Sequence, residues 1–443
     1  MPEGFRRKVR NTRPPLPSIR ACALGDYRPE KELVMRLAQS TILSVALAAT
    51  LAAASPARAD LSLSQEIGAN GLAATEARLS ALAAPTPEET FALAGVRFLH
   101  VVETALQALA RDGLYDASGV IPFARLALRA PRRDGPPRPE AMADLLMAAN
   151  AGLDAAREPL DSLSADADFG IEMALGDLWF DIDGNGTRAP EESLYEILGP
   201  ELLGWRWSER DPAAPIPTVR FDAADAHWLR AYTHLLGGVT DVILAYDPTA
   251  GYRRVMESQA AFESLSPLPP PDPEDYDFLT DFGATIDSVA PLLWALRQEP
   301  DRVRLRSARD HFLAMIADNR RFWQAVALET DDDREWLPND RQKAALGLEL
   351  PQGTGDRWLA VLADAEALLN GEKLVPYWRL GPEAGVNIGK LFTDPRPVDF
   401  VGWVQGANAL PYLEKGPLVT GESWAGFERM LHGDSLLMAL YLN

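Results

Sequence analysis

Asp181, Asp183, Asn185 and Glu192 stand at positions 1, 3, 5 and 12 of a twelve-residue stretch whose sixth position is Gly186. This spacing, D-x-[DN]-x-[DN]-G-x5-E, turns three short oxygen-bearing side chains toward the inside of one tight loop. Gly186 permits the sharp bend, Thr187 offers its backbone carbonyl, and Glu192 closes the loop with two oxygens. Ala189, at position 9, has no side-chain oxygen, so water completes that corner. Calcium takes six to eight oxygens at flexible distances. The expected ion is therefore Ca2+, and its expected ligands are Asp181, Asp183, Asn185, Thr187 and Glu192.

Other reactive side chains carry weaker patterns. His227, His234 and Asp241 recur every seven residues on one helical stripe. Successive members lie about 10.5 Å apart along the axis, too far to share a zinc ion with ligand distances of about 2.0–2.1 Å. They are expected to be satisfied boundary residues beside Ala231, Gly238 and Ala245, where a neighbouring helix packs closely. The core stripe of that helix is expected at Leu229, Tyr232, Leu235, Val239, Val242 and Tyr246. His100, His311 and His432 stand in no recognisable metal or triad motif. Asp331, Asp332 and Asp333, with Glu329 and Glu335, lack the glycine and terminal spacing of a calcium loop, and read as a solvated acidic loop. No G-x-S-x-G, H-E-x-x-H, phosphate loop or dinucleotide fingerprint occurs.

The elements that position these residues are helical. Thr86-Pro87-Glu88-Glu89 opens a segment with Leu93, Val96, Leu99, Val102, Leu106 and Leu109 on one face; Thr86 caps it and Glu89 completes a capping box. Pro139 to Glu158 repeats the pattern, with Pro159 expected to end it. A third long helix spans Phe221 to Tyr246, and others are expected around 276–297, 303–327, 356–370 and 422–440. Convincing alternating strands are scarce, so the expected class is mainly α. The proline-rich run 264–274 marks a linker between an N-terminal helical domain, 60–263, and a C-terminal one, 275–443. Within the latter, 371–420 reads as an irregular Gly/Pro-rich cap held by aromatic burial.

The loop resembles an EF-hand over residues 171–198. The resemblance implies an entering helix from Ile171 to Phe180 and an exiting one starting at Ser193. Position 8 of that family is usually an aliphatic residue that pairs two loops; here it is Arg188, position 10 is Pro190, and no second matching loop occurs. An unpaired loop of this kind implies a structural site rather than a calmodulin-like sensor.

Met35-Arg36, the apolar run from Thr41 to Ala54 and Ala57-Arg58-Ala59 have the form of a secretory signal peptide, residues 35–59, with 1–34 an upstream extension. The apolar run is shorter than a membrane span. The 443 residues carry a net charge of −21. Of 43 Lys and Arg and 64 Asp and Glu, 10 and 4 fall in the first 59 residues, leaving 33 and 60, a net −27. This acidity excludes nucleic-acid and anionic-lipid partners, and the only cysteine, Cys22, precedes the cleavage site. The expected protein is exported, periplasmic or secreted, with no membrane span after cleavage and a structural calcium site. Two other functions fit: a helical-toroid-like hydrolase or lyase acting on carbohydrate polymers, with two carboxylates in an aromatic cleft, or an extracellular protein-interaction module.

Overall fold

Described by a computed structural model, the chain is characterised over residues 62–112, 138–164, 167–203, 205–211, 213–266, 278–332, 334–347, 350–430 and 441–443. It is mainly α. In chain order the elements are α1 (Leu63–Ser80), α2 (Pro87–Asp112), α3 (Ala141–Ser162), β1 (Gly170–Ala174), α4 (Leu194–Leu203), α5 (Trp205–Glu209), β2 (Thr218–Asp222) and α6 (Ala223–Tyr246). They continue with α7 (Thr249–Leu265), α8 (Phe278–Leu296), α9 (Arg302–Val326), α10 (Thr354–Leu369), β3 (Val375–Pro376), β4 (Ala384–Val386), α11 (Ile388–Thr393), α12 (Phe400–Gln405), β5 (Leu413–Lys415) and α13 (Glu422–Met430). The signal-like residues 1–61, most of the proline-rich run 264–274, Asp333 and His432 lie outside the described residues.

Local chemistry sets the helix starts. The amide of Thr86 donates to Glu89 Oε2 at 2.9 Å and the amide of Glu89 to Thr86 Oγ1 at 3.3 Å, the expected capping box. Asp222 and Asp301 cap α6 and α9 through their carboxylates. Pro159, by contrast, does not stop α3, which runs to Ser162. A proline in the last turn deprives the carbonyl four residues back of its donor. Here that carbonyl, on Ala155, accepts from Arg97 Nη1 at 2.8 Å instead.

Helices α2, α3, α6 and α9 pack in succession, and α6 against α9 is the most extensive contact. Its closeness comes from small residues: a Cβ on Gly238 would meet the Phe312 ring at 2.6 Å, and one on Gly237 the His311 ring at 3.3 Å. Burial on α6 therefore follows Ala231, Gly238 and Ala245, while Val239, expected in the core, is exposed. One hydrophobic core joins Phe180 and Trp228 with Ile316, Phe322, Trp358 and Phe427, from both sides of the proline-rich run. Residues Leu61–Asn443 form one compact unit. Helix α2 is long and apolar enough to cross a membrane by composition, and its buried face lies in this core.

Among the described residues, two small antiparallel sheets complete the fold. Gly170 to Ala174 of β1 lie opposite Asp222 to Thr218 of β2, and β4 sits between β3 and β5. In the 371–420 region Trp403 stacks on the buried Tyr412, but Trp378 and Phe400, expected to be buried, are each 68% exposed.

The glycine pattern makes a stability prediction. Gly238→Ala forces a methyl into Phe312 and costs about 1–3 kcal/mol. Gly95→Ala, mid-helix with nothing within 4 Å of the added Cβ, is neutral or gains up to about 1 kcal/mol. Chemical denaturation of the two variants checks both signs.

Candidate metal centre

The segment leading into the loop is not the helix that the EF-hand resemblance implies. It is β1, paired to β2, followed by a turn at Ala174–Asp177. The β-branched and bulky residues Ile171 and Met173 alternate inward there, and Gly170 fits against the Arg220 guanidinium, where a Cβ would lie 2.5 Å away. The exiting segment begins with a 3-10 turn, Pro190–Glu192, and continues as α4. Pro190, with its fixed φ, opens this turn and brings Glu192 back over the loop.

The loop closes on itself instead of on a second loop. Trp179 bridges Ser193 in antiparallel fashion; the amide of Phe180 donates to the Glu192 carbonyl at 2.9 Å, and that of Leu194 to the Leu178 carbonyl at 2.9 Å. Arg188, in the pairing position, turns its guanidinium to the Gly176 carbonyl. Gly184 and Gly186 both take left-handed conformations, φ 71° and 70°, which glycine adopts without strain.

Inside the loop, oxygens of Asp181, Asp183 and Glu192 lie within 4.8 Å of one another. Backbone amides fix their outer faces. Asp181 Oδ2 accepts from Gly186 at 2.9 Å and Asp183 Oδ1 from Asn185 at 3.1 Å. Glu192 accepts from Ile182 through Oε1 at 3.0 Å and from Ala189 through Oε2 at 2.9 Å. The Asn185 amide donates to Asp183 Oδ2 at 2.7 Å, and its Oδ1 accepts from the Thr187 amide at 2.6 Å. Each Glu192 oxygen keeps a lone pair beyond its backbone bond. Asp181 Oδ1 is buried and accepts no hydrogen bond.

No Lys or Arg among the described residues forms an ion pair with Asp181, Asp183 or Glu192, and Glu192 is only 5% exposed. A further carboxylate stands behind them: Glu103 of α2 accepts from the Asp181 amide at 2.8 Å, while Gln107, one turn on, donates to the Asp181 carbonyl at 2.7 Å. Burial, with the charges of Asp181 and Glu192, pushes the Glu103 pKa up. Converging carboxylates with no Lys or Arg paired to them, Glu192 among them buried, are costly unless an ion compensates them, and the donor set is the hard-oxygen type that calcium takes. Glu103 and Gln107 are absent from the loop motif; the available signal was a glutamate four residues after Leu99 and three before Leu106, inside an apolar stripe. Trp179, whose Nε1 donates to the Ile67 carbonyl at 3.0 Å, and Phe180 tie the loop to the core.

The second acidic group is only in part a solvated loop: Asp331 and Asp332 are exposed, as expected, but Glu329 and Glu335 are not. Glu335 is buried, 4% exposed, and Glu329 is half-buried. Both face the start of α6, where oxygens of Asp222, Glu329 and Glu335 lie within 4.8 Å of one another. Their chemistry differs from the loop's. Asp222 Oδ1 caps Ala224, Asp225 accepts from the Asp222 amide at 3.0 Å, Glu329 Oε2 accepts from Gln342 at 3.0 Å, and Arg220 lies 3.4 Å from Asp222. Burial raises Asp222, raises Asp225 well above the carboxylate range and pushes Glu329 up to about 7. This cluster favours bound protons, whereas the loop leaves Asp181 Oδ1 without a donor.

The histidine stripe is satisfied, as expected. His234 Nδ1 lies 2.8 Å from Nδ1 of His311 on α9, so the pair shares a proton; Asp241 pairs with Arg304 at 3.1 Å and accepts from Asn150 at 2.9 Å. His227 stands 3.4 Å from Arg230. Burial first, then the Arg157 charge, lowers His234 to about 4 and lowers His311 too. His311 was invisible as a partner because 77 residues separate it from His234.

Comparison with protein-family models, with curated proteins and with solved structures finds no match to this chain.

The acidic cluster gives a pH prediction. A carboxyl group whose folded pKa lies above its ordinary 4.5 stabilises the fold fully below that value and loses the contribution as pH rises through about 7. The melting temperature of the wild type relative to Glu329→Gln should therefore fall between pH 5 and 8. A flat difference across that range counts against the proton-sharing cluster.

Proposed function

We propose that this protein is an exported, soluble calcium-binding protein in which one EF-hand-type loop, Asp181 to Glu192, acts as a structural site. The observation that carries the reading is Asp181 Oδ1, buried and without a hydrogen bond, beside the Asp183 and Glu192 carboxylates. Asp181, Asp183 and Glu192 would hold the ion through carboxylate oxygens, with Asn185 and Thr187 completing the set. The signal-like segment 35–59 supports export, which brings the loop into a compartment where calcium is abundant. A site with a dissociation constant of about 0.1–1 mM in about 2 mM calcium adds about 0.6–1.8 kcal/mol of stability. That magnitude suits a staple joining β1 to α4, since the ion would neutralise charge that otherwise repels across the loop. The absence of a partner loop and the outward turn of Arg188 support a structural role over sensing.

Melting curves with calcium and with chelator test the reading. Calcium should raise the melting temperature of the wild type and leave Asp181→Asn unmoved, with Glu329→Gln responding like the wild type. Equal melting temperatures in calcium and chelator would remove the calcium assignment; a response lost only in Glu329→Gln would transfer it to the other cluster.

An interaction module is the second reading that an observation favours. Phe400, Val401, Val404, Trp378 and Leu410 are exposed. Phe400, Val401 and Val404 stand on α12, and the chain is tied to it by Tyr377, whose Oη donates to the Trp403 carbonyl at 2.6 Å, and by the Leu410 amide, which donates to the Gly406 carbonyl at 3.2 Å. Clustered apolar side chains at a surface mark sites of association. The hydrolase reading draws no comparable support. Among the described residues, the cavity between α2 and α3 has carboxylates but no tryptophan, and the one between α7 and α8 has a tryptophan but no carboxylate.

A further inference from the structure

The cavity between α7 and α8 is lined by two guanidinium groups, an indole and a side-chain amide. The two helices cross at Gly251 and Pro291, so closely that a Cβ on Gly251 would lie 2.6 Å from Pro291 Cα. Beside this crossing a cavity of about 380 Å3 is lined by Ala250, Gly251, Arg254, Trp294, Arg297 and Gln298. Its volume falls within the range of small-molecule sites. It lies at the root of the α7–α8 pair, against the segment leading into α12, where the Val398 amide donates to the Leu296 carbonyl at 2.6 Å.

The chemistry of the lining is one-sided. The chain has a net charge of −21, yet among the described residues no carboxylate lines this cavity. Arg253 pairs with Glu140 at 2.6 Å, whereas Arg254, the next residue, has no ion-pair partner among the described residues. Its guanidinium stands 5.6 Å from the Trp294 ring centroid. Arg297 reaches only Asp399, at 3.9 Å, and Gln298 makes a long 3.4 Å bond to the Asp247 carbonyl. The larger cavity between α2 and α3, about 400 Å3, differs: Arg97, His100 and Arg111 on its wall are already paired with Glu76, Glu158 and Asp112.

We infer that the α7–α8 cavity binds a small organic anion, a carboxylate carried on a ring. Guanidinium groups recognise carboxylates through paired, charge-assisted hydrogen bonds. The indole face of Trp294 supplies a flat apolar surface for the ring, and the Gln298 amide offers a neutral polar contact. An acidic sugar and an aromatic acid share this chemistry. The site is independent of the calcium loop, which lies on β1 and α4.

Calorimetric titration of the full chain with glucuronate and with benzoate tests the inference, with methyl glucoside, benzamide and inorganic phosphate as controls. At least one ring acid should bind saturably. Loss of a charged hydrogen-bond partner in Arg254→Gln should weaken it about tenfold or more, and Trp294→Leu should weaken it as well. The acid that binds more tightly identifies the sugar or the aromatic class. Arg254 is exposed, so Arg254→Gln should melt with the wild type, and Arg297→Gln gives a second reading of the same contact. Absence of saturable binding for both acids, equal affinity for the neutral analogues or for inorganic phosphate, or unchanged affinity in both arginine variants would overturn it.

Discussion

The close contact of α6 with α9 is the constraint on which the rest of this structure depends. Gly237 and Gly238 let the two helices approach until His311 and Phe312 lie over bare backbone. At that distance polar residues on the seam have little access to water and must satisfy one another. They do so through His234 with His311, Arg304 with Asp241, and Arg230 with Asp318 at 2.8 Å. Such a seam adds little net stability over apolar packing, but losing one partner is costly. It therefore fixes the register of α6 on α9. The last residues depend on that register: Asn319 donates to the Leu442 carbonyl at 2.7 Å, Asn443 to the Trp228 carbonyl at 3.1 Å, and Trp228 to the Tyr441 carbonyl at 3.0 Å.

The same frame positions both acidic clusters. The start of α6 follows β2, β2 pairs with β1, and β1 leads into the calcium-type loop, so the register of α6 is passed through the sheet to Asp181. From the other side α2 reaches the loop with Glu103 and Gln107, and the kinked α1 reaches it through Ile67, with Gly71 at φ 78° making room for Trp179. Three elements thus hold one loop whose outer oxygens are already fixed by backbone amides. The cost of gathering the carboxylates is met by folding, and a cation would recover part of it.

Local chemistry was legible in the sequence where one short segment holds all the parts. Thr86 with Glu89 and the twelve-residue spacing from Asp181 to Glu192 are of that kind. Long-range partners were not. Pro159 does not end α3 because Arg97, 58 residues earlier than Ala155, takes the freed carbonyl. Glu329 and Glu335 looked solvated because Asp222, which they face, is more than a hundred residues away in the chain. The strand at Gly170–Ala174 was misread as helix because Ile171 and Met173 alternate over too few residues for the period to declare itself. Val239 was placed in the core by its apolarity, whereas Gly238 decided the packing by its size.

The most direct test of the calcium assignment is terbium luminescence, because Trp179 lies two residues before Asp181 and can pass excitation to a bound lanthanide. The account predicts sensitised emission that saturates at one ion per chain, is displaced by calcium and is absent in Asp181→Asn. Emission that fails to appear, or that persists unchanged in Asp181→Asn, would contradict a metal centre in this loop.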